Sequence, residues 1–109
     1  MERLPEVELR TLLAVARIGD GAYGVAILDE IRTSSGMEAS VAAVYAALER
    51  LDRHGLIRVS LSDPVPERGG RARREYRLTA IGRSRLRRER AAAMRTWRLK
   101  PVEDDSSLW

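Results

Sequence analysis

Around Gly55 the hydrophobic period of this chain switches from helical to extended within two residues. Upstream, "SVAAVYAALERLDRH" sets Val41, Val44, Tyr45, Leu48 and Leu51 on one helical stripe, with Ser40 in front as an N-cap. Downstream, "LIRVSLS" alternates Ile57, Val59 and Leu61 with Arg58, Ser60 and Ser62, the period of a strand. Gly55 between them fits the left-handed residue that ends a helix. The strand's returning partner is "REYRLT", with Tyr76 and Leu78 on one side, and the proline- and glycine-bearing segment between the two reads as a loop.

The remaining elements follow from the same signals. Pro5 suits a first helical turn, with Glu6 and Glu8 near the positive end of the dipole. Leu9, Leu12, Leu13 and Ala16 recur at helical spacing, and Gly19, Asp20 and Gly21 break that helix. A second helix follows Gly24, with Ile27, Leu28 and Ile31 on one face, and "TSSG" ends it. Thr79 caps a last helix that starts at Ala80 and runs through Leu86, Ala93 and Trp97, whose spacings of seven and four keep them near one stripe. Pro101 discourages further helix, leaving "VEDDSSLW" as a loose tail.

The resulting fold class is mainly α with a small β-hairpin: a winged helix-turn-helix plus a C-terminal helix. Residues 1–79 make the winged unit, 80–99 the last helix and 100–109 a flexible acidic tail. A chain of 109 residues accommodates one domain and a modest core, which a partner subunit would supplement. It has no cysteine, hence no disulfide framework, and no apolar run long enough to span a membrane. "MERLPEVELR" lacks the basic-then-apolar order of a secretion signal, so a cytoplasmic location is expected.

Charge is distributed unevenly. Residues 1–67 hold 7 Arg against 11 acids, whereas residues 68–98 hold 12 Arg against Glu75 and Glu89. A basic third of that kind points to a polyanion. Gly69 and Gly70 permit a tight hairpin tip, from which Arg68, Arg71, Arg73 and Arg74 can reach phosphates or a minor groove. Glu75 and Arg77 share a strand face, so the acid can orient an arginine locally.

The first turns of the third helix carry Ala42, Ala43, Ala46 and Ala47, small enough for the helix axis to approach base edges in the major groove. Ser40, Ala42, Ala43, Tyr45, Ala46 and Arg50 are therefore the candidate base and phosphate contacts on this helix. Tyr45 has two readings, a core residue or a phosphate contact through its hydroxyl.

Together, "SVAAVYAALERLDRHGLI" and "GGRARREYRLTAIGR" resemble the PadR family of bacterial transcriptional regulators. The shared pattern is the cap Ser40, the Val44-Tyr45 pair, Leu48 and Leu51, Gly55-Leu56-Ile57, Gly70-Arg71-Ala72-Arg73, the strand Tyr76 to Thr79, and Gly82. Tyr23-Gly24 looks like the family's start of the second helix. Ala72 stands where the family often has proline, Glu75 where it often has an aromatic residue, and the single last helix is that of the short subgroup.

The resemblance implies a repressor that binds a near-palindromic operator in double-stranded DNA as a homodimer, joined through its first and last helices. Leu9, Leu12, Leu13, Leu86, Ala93 and Trp97 are the residues that would line that junction. It also implies, for some members, a small aromatic effector. Trp97 thus has three readings: interface packing, stacking on such an effector, or exposure.

The rival classes are weaker. His54 is the only histidine, beside the helix-ending Gly55, where a cation suits the dipole. No metal cluster, phosphate-cradling loop or nucleophilic triad is legible, so neither catalysis nor a cofactor is expected. Single-stranded RNA readers use more stacking aromatics than this chain offers. The serious alternative is a winged-helix module whose basic face binds an acidic protein.

Overall fold

Helix α1 (Glu6–Ile18) starts directly after Pro5, which caps the helix from outside rather than sitting in its first turn. Helix α2 (Gly24–Ser35) ends at Gly36, whose φ of 67° is left-handed. Helix α3 (Val41–Arg53) starts at Ser40, whose Oγ accepts the Ala43 N–H at 3.0 Å. Gly55, at φ 74°, lets the chain leave α3 and enter strand β1 (Ile57–Leu61) at once. Strand β2 (Arg74–Leu78) returns antiparallel, pairing Ile57 with Leu78 and Val59 with Tyr76, and helix α4 (Ala80–Leu99) follows. This computed structural model describes residues 3–36, 38–61 and 73–99, the last three by backbone alone.

The core lies where α1 packs on α2 and α3 above the hairpin. Leu12 and Val15 of α1, Ile27 and Ile31 of α2, and Val44, Leu48 and Leu51 of α3 meet there, closed below by Leu56, Ile57 and Tyr76. Each such side chain contributes about 1.5–3 kcal/mol by leaving water.

The buried face of α3 differs from the stripe expected of it. Ala47 is fully buried, whereas Val41 and Tyr45 are 52% and 45% exposed. The helix is rotated so that Ala47, not Val41 or Tyr45, faces inward, where a small methyl group is enclosed completely. Leu12, expected with Leu9 and Leu13 at the junction, is fully buried in the protomer's own core.

Two glycine-dependent joints position what surrounds the core. A β-carbon on Gly82 would collide with the Leu56 carbonyl oxygen and approach Leu78 Cδ1 to 2.8 Å, so only glycine lets the first turn of α4 lie on the hairpin. Thr79 reinforces that joint: its hydroxyl donates to the Gly55 carbonyl at 2.6 Å and accepts the Gly82 N–H at 3.0 Å. At the other joint, the α1–α2 loop adds an edge to the hairpin. The Tyr76 N–H donates to the Ala22 carbonyl at 2.9 Å, Tyr23 bridges Glu75, and Glu75 Oε2 accepts the Gly21 N–H at 2.8 Å.

Candidate nucleic-acid interface

Capped at Ser40, the N-terminal half of α3 turns its outer face to solvent. Ser40, Ala42, Tyr45 and Ala46 are exposed and Ala43 is half-buried, so this face has low relief except for the Tyr45 ring. That ring lies across the start of α2, where a β-carbon on Gly24 would sit inside the Tyr45 hydroxyl. Of the two readings of Tyr45, the core one does not hold: its side chain is a surface group, laid over a glycine.

The base of the wing reaches the same place. Tyr23, Tyr45, Arg73, Arg74 and Tyr76 line a cleft of about 190 Å³. The Arg73 guanidinium stacks on the Tyr23 ring, 4.0 Å from its centroid. Burial pushes the Tyr76 hydroxyl above the ordinary tyrosine range, partly opposed by its hydrogen bond with Arg74. Arg73 and Arg74 of the wing therefore border one cleft with Tyr45, which shares the exposed face of α3 with Ala42 and Ala46. Arg68, Arg71 and the two tip glycines lie outside the described residues.

Arg50 does not join them. Its Nε donates to Glu8 Oε2 at 2.6 Å, and Glu8 is buried in α1 at 7% exposure. A buried carboxylate needs its counter-ion, so Arg50 secures α3 to α1 through its Nε. Glu75 does orient Arg77, at 3.6 Å, but Asp20 holds the same guanidinium more closely at 3.0 Å.

Tyr23 was expected only as the start of the second helix, and Val25 is a surface feature of this site that the sequence reading did not single out. Val25, 70% exposed, projects beside the cleft from the first turn of α2. Its place off the Ile27, Leu28 and Ile31 stripe was the available signal.

On a separate face, α1 and α4 enclose a largely apolar groove of about 550 Å³. Leu9, Leu13, Leu86 and Ala93, four of the expected junction residues, line it together. The Trp97 side chain lies outside the described residues. One end of the groove is closed by Glu89, buried in α4 and bound by the Leu4 N–H and the Arg3 guanidinium at 3.2 Å and by Arg85 at 3.3 Å. Burial works to raise the Glu89 carboxyl, but these three donors outweigh it and hold it below the ordinary range.

Among the described residues no group of three or more His, Cys, Asp or Glu side chains forms a metal-binding cluster. No described helix is long and apolar enough to cross a membrane.

Comparison with known proteins places this arrangement. A PadR family transcription regulator of Clostridium difficile superposes with a TM-score of 0.65 at 22% identity, covering 87% of this chain and 90% of that one. A PadR-like regulator of Bacillus cereus gives 0.67 at 19% identity, over 89% and 93% of the two chains. The ORC1 protein of Aeropyrum pernix, solved in complex with DNA, gives 0.65 at 22% identity, covering 89% of this chain but 26% of its own. No curated protein matches the sequence. Residues 12–88 match the transcriptional regulator PadR-like family, a span running from the α1 core through the wing to the α4 groove, and the chain belongs to that family of transcriptional regulators.

Proposed function

We propose that the protein is a repressor that binds a near-palindromic operator in duplex DNA as a homodimer, in the cytoplasm. The observation that carries this reading is the placement of Arg73 and Arg74 beside the exposed, alanine-lined start of α3. A low-relief helix face suits the major groove, and arginines flanking it suit the adjoining phosphates. The ORC1 protein, part of which shares this fold, was solved in complex with DNA, which is in keeping with this reading. Ser40, Ala42, Ala43 and Ala46 would approach base edges, while Tyr45 and the wing residues Arg68, Arg71, Arg73 and Arg74 would contact phosphates.

The groove between α1 and α4 supplies the dimer in this proposal. Leu9, Leu13, Leu86 and Ala93 would meet their counterparts, with Trp97 one turn further along α4. A two-fold dimer then reads half-sites one helical turn apart, roughly 34 Å. A planar aromatic effector, if one acts, would stack on Trp97 and quench its fluorescence in a Trp109→Phe background.

The test is a salt titration of duplex DNA binding. With about six phosphates neutralised per dimer, log affinity falls against log salt with a slope near −5. Replacing Arg71 and Arg73 by Ala should weaken binding to every sequence and flatten the slope. Ala43→Glu should abolish operator preference by setting a carboxylate against the DNA, with the circular dichroism unchanged. Retained operator preference in a folded Ala43→Glu protein would remove α3 from sequence reading.

A further inference from the structure

The wing stands on a two-stranded hairpin, and a hairpin by itself is marginal unless a further segment supports it. Beside β2 that support is the loop between α1 and α2, residues 19–23. Gly19 and Gly21 in this loop stand at φ 71° and 80°, in the left-handed region. A loop with two such residues has much backbone freedom to lose, so the bonds made to it from outside decide its course. One is a main-chain bond, from the Tyr76 N–H to the Ala22 carbonyl at 2.9 Å. The other comes from a side chain: Glu75 Oε2 accepts the Gly21 N–H at 2.8 Å.

Glu75 is the centre of a short chain of contacts. Its side chain is mostly enclosed, and the Arg77 guanidinium lies 3.6 Å from the same oxygen. Arg77 also reaches Asp20, the residue before Gly21, at 3.0 Å. Gly21 and Asp20 are thus both tied to β2, the first by Glu75 directly and the second through Arg77. Two residues further on, the Tyr23 backbone bridges Glu75 and caps α2. The first turn of α2 borders the cleft that Tyr45 of α3 shares with Arg74 of the wing. The course of the loop therefore sets how the base of the wing stands against the start of α3.

Charge makes this placement informative. Glu75 is one of two acids among residues 68–98, which hold 12 Arg. A carboxylate on a wing set against phosphates weakens binding to any DNA by repulsion. Any gain it brings must come through geometry, so charge and geometry predict effects of opposite sign.

We propose that Glu75 is a positioning residue for operator binding: its carboxylate fixes the α1–α2 loop to β2 and so holds the wing at the spacing from α3 that the operator requires. This rests on the DNA-binding reading above. Glu75 does not touch the DNA; it acts through the Gly21 N–H.

The test separates length from charge at this one position in the full chain. The probes are a duplex selected by the parent protein from a random-sequence pool and a scrambled duplex of the same length and composition. Thermal melting of each variant checks folding. Glu75→Asp keeps the charge but is one methylene too short for Gly21. It should lose about five- to tenfold in affinity for the selected duplex and keep its affinity for the scrambled one. Glu75→Gln drops the charge but keeps an oxygen for the Gly21 N–H. It should hold the selected duplex within about twofold of the parent and the scrambled one at least as tightly. Glu75→Ala should weaken the first and strengthen the second. If that variant melts early, the Asp and Gln pair decides alone.

Parent-like selectivity in Glu75→Asp, or a loss in Glu75→Gln as large as in Glu75→Asp, would overturn the positioning role and leave the DNA-binding reading intact. Equal losses on both duplexes, the mark of a fold weakened as a whole, would do the same. A parent protein that selects no duplex from the pool would overturn the functional reading and this inference with it.

Discussion

Helices α3 and α4 solve opposite problems. α3 is 13 residues long, and Val44, Ala47, Leu48 and Leu51 are completely or almost completely buried within the chain. What remains outside carries Ala42 and Ala46 beside two larger exposed groups, Val41 and Tyr45. α4 is 20 residues long and leaves Leu86 and Ala93 half-buried in an open groove, with Met94 50% exposed near it. Among its described residues, only Gly82 in the first turn and the charged Glu89 are buried. α3 is thus closed largely within one chain, whereas α4 lines an open groove. The difference teaches where burial is used: on α3 it fixes the angle of the exposed face that the proposed function sets against DNA, and on α4 it leaves open the apolar area that the proposed dimer would cover.

That contrast can be broken from either side. The largest effect is expected at Leu48, where Leu48→Ala should lower stability by about 3 kcal/mol in chemical denaturation. The same truncation at Leu86 should cost the isolated protomer less, about 1 kcal/mol, since this side chain is only partly buried and lines the open groove. A comparable loss at both sites would erase the distinction between the two helices.

Gly82→Ala comes next. The new methyl group meets the Leu56 backbone rather than a yielding side chain, so a loss of about 2 kcal/mol is expected in thermal melts. Gly24→Ala is the control: there the collision is with the Tyr45 hydroxyl, which can swing outward. That variant should stay folded and lose DNA affinity instead.

Arg50→Ala sharpens the assignment of Arg50 to the fold. It strands the buried Glu8 carboxylate and should cost about 1–2 kcal/mol. Simultaneous Glu8→Gln should recover part of that loss, an outcome not expected if Arg50 acted mainly on DNA.

The smallest effect concerns Glu89. Its folded pKa lies below its ordinary value of 4.5, so the carboxylate contributes stability above that value. The contribution fades as pH falls through the lower folded value. Parent and Glu89→Gln proteins should therefore converge in melting temperature in acid and diverge above about pH 5. A gap that does not change with pH would show that the clamp around Glu89 acts through packing, not charge.

Much of the architecture was legible because its signals are local. Ser40 caps within three residues, Gly55 turns within one, and the change of period around it announces a helix followed by a strand. The wing arginines and the low-relief alanines were visible as composition before any geometry was known. An alanine, however, is equally at home inside and outside a helix, so Ala47 could be assigned inward only once α1 and the hairpin were in place. Periodicity put Leu9, Leu12 and Leu13 on one helix without saying that Leu12 alone points to the core. Arg50 finds Glu8 42 residues away, and besides Arg85 in the preceding turn Glu89 is held by Arg3 and the Leu4 N–H, 86 and 85 residues away. No local rule makes the distant pairs: which arginine neutralises a buried acid is settled by how the helices cross. The sequence by itself determined the elements, their order and the basic wing. The tertiary structure decided which side of each helix is used up, because burial and ion pairing depend on neighbours that only packing supplies.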